Sequence, residues 1–326
     1  MLIWSSILLA VLAFIIWWIF FYPRLSALYI IGNGFDRHHG YPSSYGNFRD
    51  YVKSKDTKLY DALAENFCDY EALWNDFEEA LADLDIDAIT DDASAFLQSY
   101  SAEDWSDASH HDYQYEISLR IDLVTKHLRK HFTDWILTLC KPMPSALARK
   151  MILDKTAAFI SFNYTPTLEY VYDIPRKDIF YIHGRAEGID SVLIIGHSHV
   201  PEQRNKPYDE NADVRVIEGE RMFDDYFLDT YKTTGTIIKE NRCRFRRLRS
   251  VKRIYVLGHS MSRVDLPYFC EIIKNIDHEK TRWIISYHES KEVEPKRKII
   301  IDLGINTALV EFKRMEEIDS PQLSFL

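Results

Sequence analysis

Cysteine is scarce in this chain: Cys68, Cys140, Cys243 and Cys270 are the only four among 326 residues, and no two form a CxxC pair. That excludes a zinc ribbon, a redox dithiol and a disulfide-stapled fold, and it fits reduced thiols in a cytosolic compartment. Excess positive charge is missing as well. A net charge of -10 argues against a nucleic-acid binder held by bulk charge, because displacing counterions from a polyanion needs a basic surface. Neither an internal repeat nor a low-complexity linker is present. HExxH is absent, and the adjacent pairs His38-His39 and His110-His111 are poorly placed to share one ion, so no metal site is expected. Gly196-His197-Ser198-His199 and Gly258-His259-Ser260-Met261 lack the second glycine of a nucleophile elbow, which argues against a serine hydrolase.

What is present begins with an uncharged run from Leu2 to Tyr22 that closes on Trp17, Trp18, Phe20, Phe21 and Tyr22. At about 1.5 Å per residue such a helix just spans the ~30 Å hydrocarbon layer, with its aromatic end suited to the headgroups. No basic n-region or A-x-A site marks it as a cleaved signal. An upstream stretch read in frame is the other reading of this segment. Arg24, Arg37, Arg49 and Lys53 follow it, so the positive-inside bias predicts a single-pass inner-membrane protein with its C-terminal domain in the cytoplasm.

Beyond Pro23, short apolar runs end in Gly, Asn or His: Leu28 to Ile31, Ala157 to Phe162, Ile179 to Ile182, Val192 to Ile195, Ile254 to Leu257, Trp283 to Ser286 and Ala308 to Glu311. Runs of this kind predict strands buried on both faces, and the helical patterns Asp265 to Ile276 and Val293 to Leu303 alternate with them. The expectation is an α/β fold with a Rossmann-like, mostly parallel sheet. From about Leu59 to Lys150 the pattern turns helical, with Tyr70, Leu73, Trp74, Phe77, Leu81 and Leu84 on one stripe and Ile117, Ile121, Val124, Leu128, Phe132 and Ile136 on another. Every charged residue between Asp69 and Asp112 is acidic, which reads as a solvated helical face or a surface for a basic partner. The predicted organisation is a transmembrane helix over 1–23, the first strand and glycine turn over 24–58, an inserted helical subdomain over 59–150, and the rest of the α/β domain over 151–326. A basic cluster of opposite sign, from Arg242 to Arg253 and interrupted by Phe245 and Leu248, reads as a helix packed on the sheet with basic flanks, or as a phosphate or nucleic-acid contact.

The chemistry concentrates at strand ends. The first strand runs into Gly32-Asn33-Gly34 and Asp36, where glycines permit a sharp turn and close approach to a phosphate, although Arg37 stands where a third fingerprint glycine is usual. Asn163 and His183-Gly184 close two further strands. The Gly-His-Ser stretches at 196 and 258 repeat the form, with Gly258 and Ser260 as candidate nucleotide contacts. In an open parallel sheet these ends share one edge, so the predicted site is built by Gly32, Asn33, Gly34, Asp36, Asn163, His183, Gly258 and Ser260. Capping by Asn163 and a satisfied buried imidazole at His183 are the structural alternatives.

LYIIGNGFDRHHGYPSSY, LWNDFEEAL, FISFNYTPTLEYVY, YIHG and IYVLGHSMSRVDLPYF together resemble the bacteriophage abortive infection AbiH family. More distantly, Gly32-Asn33-Gly34, Gly40-Tyr41-Pro42, Asn163, His183-Gly184 and Gly258-His259-Ser260 occur in the order of sirtuin-like motifs. That second resemblance implies a sirtuin-like fold in which His183 acts on the nicotinamide ribose of NAD and Asn163 positions ribose and water. Thr165 stands where Asp is common, and the zinc-binding CxxC pairs of deacetylating sirtuins are missing. The expected protein is a membrane-anchored phage-defence protein that binds a nucleotide, NAD as substrate, and cleaves its nicotinamide-ribose bond, an NAD glycohydrolase with no bound cofactor. Its partners would be the nucleotide, the lipid bilayer, a phage trigger and other copies in a homo-oligomer. The alternative is a non-catalytic nucleotide or phage-component sensor acting through the membrane helix. Metal-dependent nucleic-acid cleavage by the acidic runs Asp83-Leu84-Asp85-Ile86-Asp87 and Asp91-Asp92 is a third reading.

Overall fold

A computed structural model describes residues 25–101, 106, 109–143, 151–201 and 213–318. The expected membrane helix lies outside them. Among the described residues no helix is long and apolar enough to cross a membrane.

Six strands form one sheet: β1 Ala27–Ile31, β2 Ala158–Ser161, β3 Ile179–Tyr181, β4 Arg253–Leu257, β5 Arg282–Tyr287 and β6 Val310–Arg314. Their order is β3-β2-β1-β4-β5-β6, and all five pairings are parallel. Strand order reverses between β1 and β4, the point at which doubly wound sheets open a ligand crevice.

Period-two alternation assigns each face its own core. Leu28 and Ile30 join Val256, Trp283, Phe245, Leu248, Tyr268, Ile272 and Ile300 on one side. Tyr29 and Ile31 join Leu73, Trp74, Phe77, Phe132 and Phe223 on the other. The helical stretch between β1 and β2 therefore shares its apolar core with the sheet. Tyr29 stacks on Phe159 of β2 and on Tyr255 of β4, with ring centroids 5.1 and 4.7 Å apart, and all three stand in register across the central strands. Cross-strand pairs of this kind hold register, because a slip by one residue turns every side chain to the wrong face.

Three expectations change in detail. Val192 to Ile195 is not a strand: Val192 is 84% exposed, and the segment is tied at Ile194, whose amide donates to the His183 carbonyl and whose carbonyl accepts from the Tyr164 hydroxyl. The stripe from Tyr70 to Leu84 is broken into helices Tyr70–Asn75 and Phe77–Ala80, with Asp76 in a non-helical conformation between them. The stripe from Ile117 to Ile136 spans Asp112–Asp122 and Leu128–Leu139, joined by a π-helical turn over Leu123–His127. Its apolar residues recur every four positions from Val124 onward, more than the 3.6 of an α-helix, and the wider π turn absorbs the excess.

Glycine at the strand exits is a packing requirement. A Cβ on Gly32 would lie 2.5 Å from the His259 Cα, and one on Gly34 would lie 2.8 Å from the Gly258 Cα. Gly258 itself has φ +65, and its Cβ would collide with the Phe35 amide nitrogen. Overpacking and left-handed strain act together there, so Gly258→Ala is expected to lower stability by about 3 kcal/mol. Gly235, with open space around it inside helix Thr234–Glu240, should tolerate Ala within about 1 kcal/mol and with the sign reversed. Urea denaturation of the two variants tests the contrast, and equal effects would contradict it.

Candidate active site

At the carboxyl ends of β1, β2, β3 and β4 lies a cleft of about 1030 Å³. Its lining includes all eight residues nominated from the sequence: Gly32, Asn33, Gly34, Asp36, Asn163, His183, Gly258 and Ser260.

The floor is main chain. The amide of Gly32 donates to the Leu257 carbonyl at 2.9 Å and that of Gly34 to the Gly258 carbonyl at 2.7 Å. Both glycine amides are thus spent on the neighbouring strand exit, and these residues shape the site through their lack of a side chain. Asn33 turns its amide to the Ser43 carbonyl at 2.6 Å. Asn163 donates through Nδ2 to the Gly32 carbonyl at 3.0 Å, which fixes the β2 end to the β1 end. Its Oδ1 is buried with no hydrogen-bond partner in the protein.

Asp36 is buried and accepts from the Thr165 hydroxyl. Burial raises its pKa to about 6 against the pull of hydrogen bonding led by Thr165, so the carboxylate is mostly ionised near neutrality. A carboxyl is therefore present beside position 165 although Thr165 itself carries none.

Four segments distant in sequence contribute a second cluster. Lys232, with its side chain fully buried, donates to Glu78 at 2.6 Å and to Asp265 at 3.2 Å. Asp265 faces the Nε2 of His183 at 3.6 Å through one oxygen and the Nε2 of His259 at 3.5 Å through the other. The Met261 amide donates to the His259 Nδ1 at 2.8 Å, which leaves the proton of the neutral ring on Nε2, toward the carboxylate. His183 Nε2, like Asn163 Oδ1, is buried without a hydrogen-bond partner in the protein.

The electrostatics follow from burial and from Lys232. Burial, then the nearby ammonium, holds His183 well below its ordinary pKa, and burial brings His259 to about 4. Both rings are neutral at physiological pH. Burial pushes Asp265 upward, but Lys232 and the two histidines bring it below the usual carboxylate value. Burial would lower Lys232, yet Asp265 and Glu78 keep it charged. Glu78 is raised by burial to about 7. A buried ammonium is tolerated here because two hydrogen-bonded carboxylates offset its desolvation, and removing them would leave an uncompensated charge.

The Gly196-His197 stretch does not join this cleft as a fourth strand end. It forms an isolated parallel bridge between His197 and Tyr231, and the Lys232 amide donates to the His197 carbonyl at 2.9 Å. This pairing seats the backbone from which Lys232 reaches inward. A Cβ on Gly196 would collide with the Thr230 carbonyl, which explains the glycine. The sequence did not mark Lys232: a single lysine in Tyr231-Lys232-Thr233 carries no local signature. Asp265 lies within IYVLGHSMSRVDLPYF, and its position seven residues past Gly258 was the available signal. Among the described residues no group of three or more His, Cys, Asp or Glu is arranged to hold a metal ion.

The cleft can thus hold a polar ligand on an unpartnered amide oxygen and a neutral imidazole, with an anionic carboxylate behind the imidazole. A family model described as bacteriophage abortive infection AbiH matches residues 28–287. No curated protein and no solved structure gives a significant match.

Linkage through the cluster has two signs. Glu78, raised from 4.5 to about 7, contributes stability that is present below 4.5 and lost as pH rises through about 7. His259, lowered from 6.5 to about 4, contributes stability that is present above 6.5 and lost as pH falls through about 4, on the order of 3 kcal/mol in full. Between their ordinary values the two effects oppose each other. Glu78→Gln should steepen the loss of stability on acidification through that window, and His259→Gln should flatten it, as measured by urea denaturation across the window. Parallel profiles for both variants and the unsubstituted chain would refute this account.

Proposed function

The chain belongs to the bacteriophage abortive infection AbiH family, and from that premise we propose a membrane-tethered phage-defence protein that binds NAD and hydrolyses its nicotinamide-ribose bond. The observation that carries this reading is the buried, unpartnered Asn163 Oδ1 beside the neutral His183 ring, whose Nε2 faces the Asp265 carboxylate at 3.6 Å, both residues lining one cleft at the carboxyl ends of a parallel sheet. Buried polar atoms are rarely left unsatisfied, and in a cleft their natural partner is a ligand. The order of the Gly32-Asn33-Gly34, Asn163, His183-Gly184 and Gly258 motifs adds the sirtuin-like resemblance, which points to the ribose.

In the proposed reaction the bond between ribose C1′ and the nicotinamide nitrogen breaks, and the electron pair leaves with the ring as neutral nicotinamide. Water adds to the oxocarbenium-like carbon, giving ADP-ribose and one proton. The neutral His183 is able to accept a proton from a ribose hydroxyl or from the attacking water, and Asp265 at 3.6 Å would offset the charge the ring gains. Asn163, held by the Gly32 carbonyl, would orient the ribose or water through its other amide atom. Because the glycine amides are engaged by Leu257 and Gly258, the pyrophosphate would meet side chains at the cleft such as Arg37, Arg263 and Ser260. The uncharged run Leu2 to Tyr22 would supply the tether.

Nicotinamide release from NAD by the purified chain, with and without phage lysate, tests this reading. His183→Ala and Asn163→Ala are each expected to lower the rate by about 10²–10⁴-fold. If NAD is untouched under both conditions and His183→Ala still protects cells from phage, the enzyme reading fails and the sensor reading replaces it.

A further inference from the structure

The end of the sheet opposite the cleft carries the basic cluster. Phe245 and Leu248 are buried against the sheet, and they hold the segment Arg242–Ser250 so that Arg242, Arg246, Arg249 and Lys252 are exposed. The segment is stitched to the amino-terminal rim. The Ser250 hydroxyl donates to the Leu25 carbonyl at 2.9 Å, the Lys252 amide to the Ser26 carbonyl at 2.9 Å, and the Arg282 amide to the Lys252 carbonyl at 2.9 Å. Arg253 and Arg282, both exposed, open β4 and β5 on the same rim. The chain as a whole is acidic, so this rim runs against the average.

Leu25 lies three residues after Tyr22, where the uncharged run ends. Three residues reach at most about 11 Å, close to the ~8 Å screening length at physiological salt. We propose that the amino-terminal rim, carried by Arg242 to Arg253 and Arg282, docks on an anionic lipid bilayer. The inference rests on the membrane-tether reading and not on catalysis. Positive charge adjoining the apolar run, on the rim where the chain enters the sheet, favours lipid headgroups over nucleic acid. The five residues of β1, at about 3.3 Å each, separate this rim from the cleft, so a docked protein would open its cleft away from the membrane.

Cys243, exposed within the basic segment, is a built-in reporter, and exposed Cys68 is a reference from the opposite face of the sheet, where its neighbour Phe67 is packed. The full chain is incorporated into nanodiscs of phosphatidylcholine alone or with phosphatidylglycerol, and alkylation of each cysteine is followed by peptide mass spectrometry. Phosphatidylglycerol is expected to slow Cys243 by about fivefold or more and to leave Cys68 unchanged. Raised salt, or the pair Arg246→Gln and Arg249→Gln, should restore the rate. Equal Cys243 rates in both discs, with the chain incorporated, overturn the docking inference alone. Protection by duplex DNA as strong as that by anionic lipid assigns the surface to nucleic acid and also overturns it. A chain that enters neither disc overturns the tether and this inference together.

Discussion

The contact on which the arrangement depends is main chain against main chain, where the exits of β1 and β4 touch. Gly32 and Gly34 present no side chain, Gly258 turns through a left-handed conformation, and two amide-carbonyl bonds close the gap. In most doubly wound sheets the reversal of strand order opens a crevice between these exits. Here the crevice is sealed at its base, and the cleft is raised onto the side chains around it. Asn163 reaches across to the Gly32 carbonyl, and the loop after Gly258 carries His259 and Asp265. A larger residue at any of the three glycines would separate β1 from β4 and disperse the groups above them.

A second constraint ties the helical stretch to the sheet. Glu78 comes from the segment between β1 and β2, Lys232 from the segment between β3 and β4, and Asp265 from the loop after β4. Their buried ion cluster is a poor source of net stability, since taking three charges from water offsets most of the attraction gained. What it supplies is orientation. Asp265 stands between two imidazoles because Lys232 holds it there, and Lys232 is held by the bridge at His197 and Tyr231. Burial above all, with nearby ammonium groups adding to it, keeps both rings neutral, the state in which a histidine can take up a proton.

Much of the sheet was legible because its strands are buried on both faces, so that apolar runs such as Leu28 to Ile31 and Ile254 to Leu257 stand out from their surroundings. The same rule overreached at Val192 to Ile195, where an apolar run lies over the His183 strand end as irregular chain with Val192 in solvent. Periodicity located the helical stretch but not the break at Asp76 or the π turn at Leu123–His127, which come from tertiary fit. Asn163, His183 and the glycines were legible for another reason: in a parallel sheet, polar residues that end apolar runs gather on one rim. Lys232 and Glu78 lie on no strand end, and of the two only Glu78 falls within a motif, LWNDFEEAL. Their place in the site follows from how the helices pack over the sheet, and no local pattern encodes that.

A parallel sheet has a polarity that an antiparallel one lacks, and this chain distributes its charge along it. The carboxyl rim gathers neutral imidazoles, an amide and buried acids around a cleft, whereas the amino rim presents arginines and lysines whose neighbours Phe245 and Leu248 are sunk in the core. In the proposed reading a ligand would complete the buried polar groups at one end, and the solvated cations at the other would be attracted to an anionic surface. The central strands between the rims are buried and largely apolar, and they keep the two sets of charges apart. Strand direction thus sets where the cleft and the basic rim lie, and it does so before any individual side chain is considered.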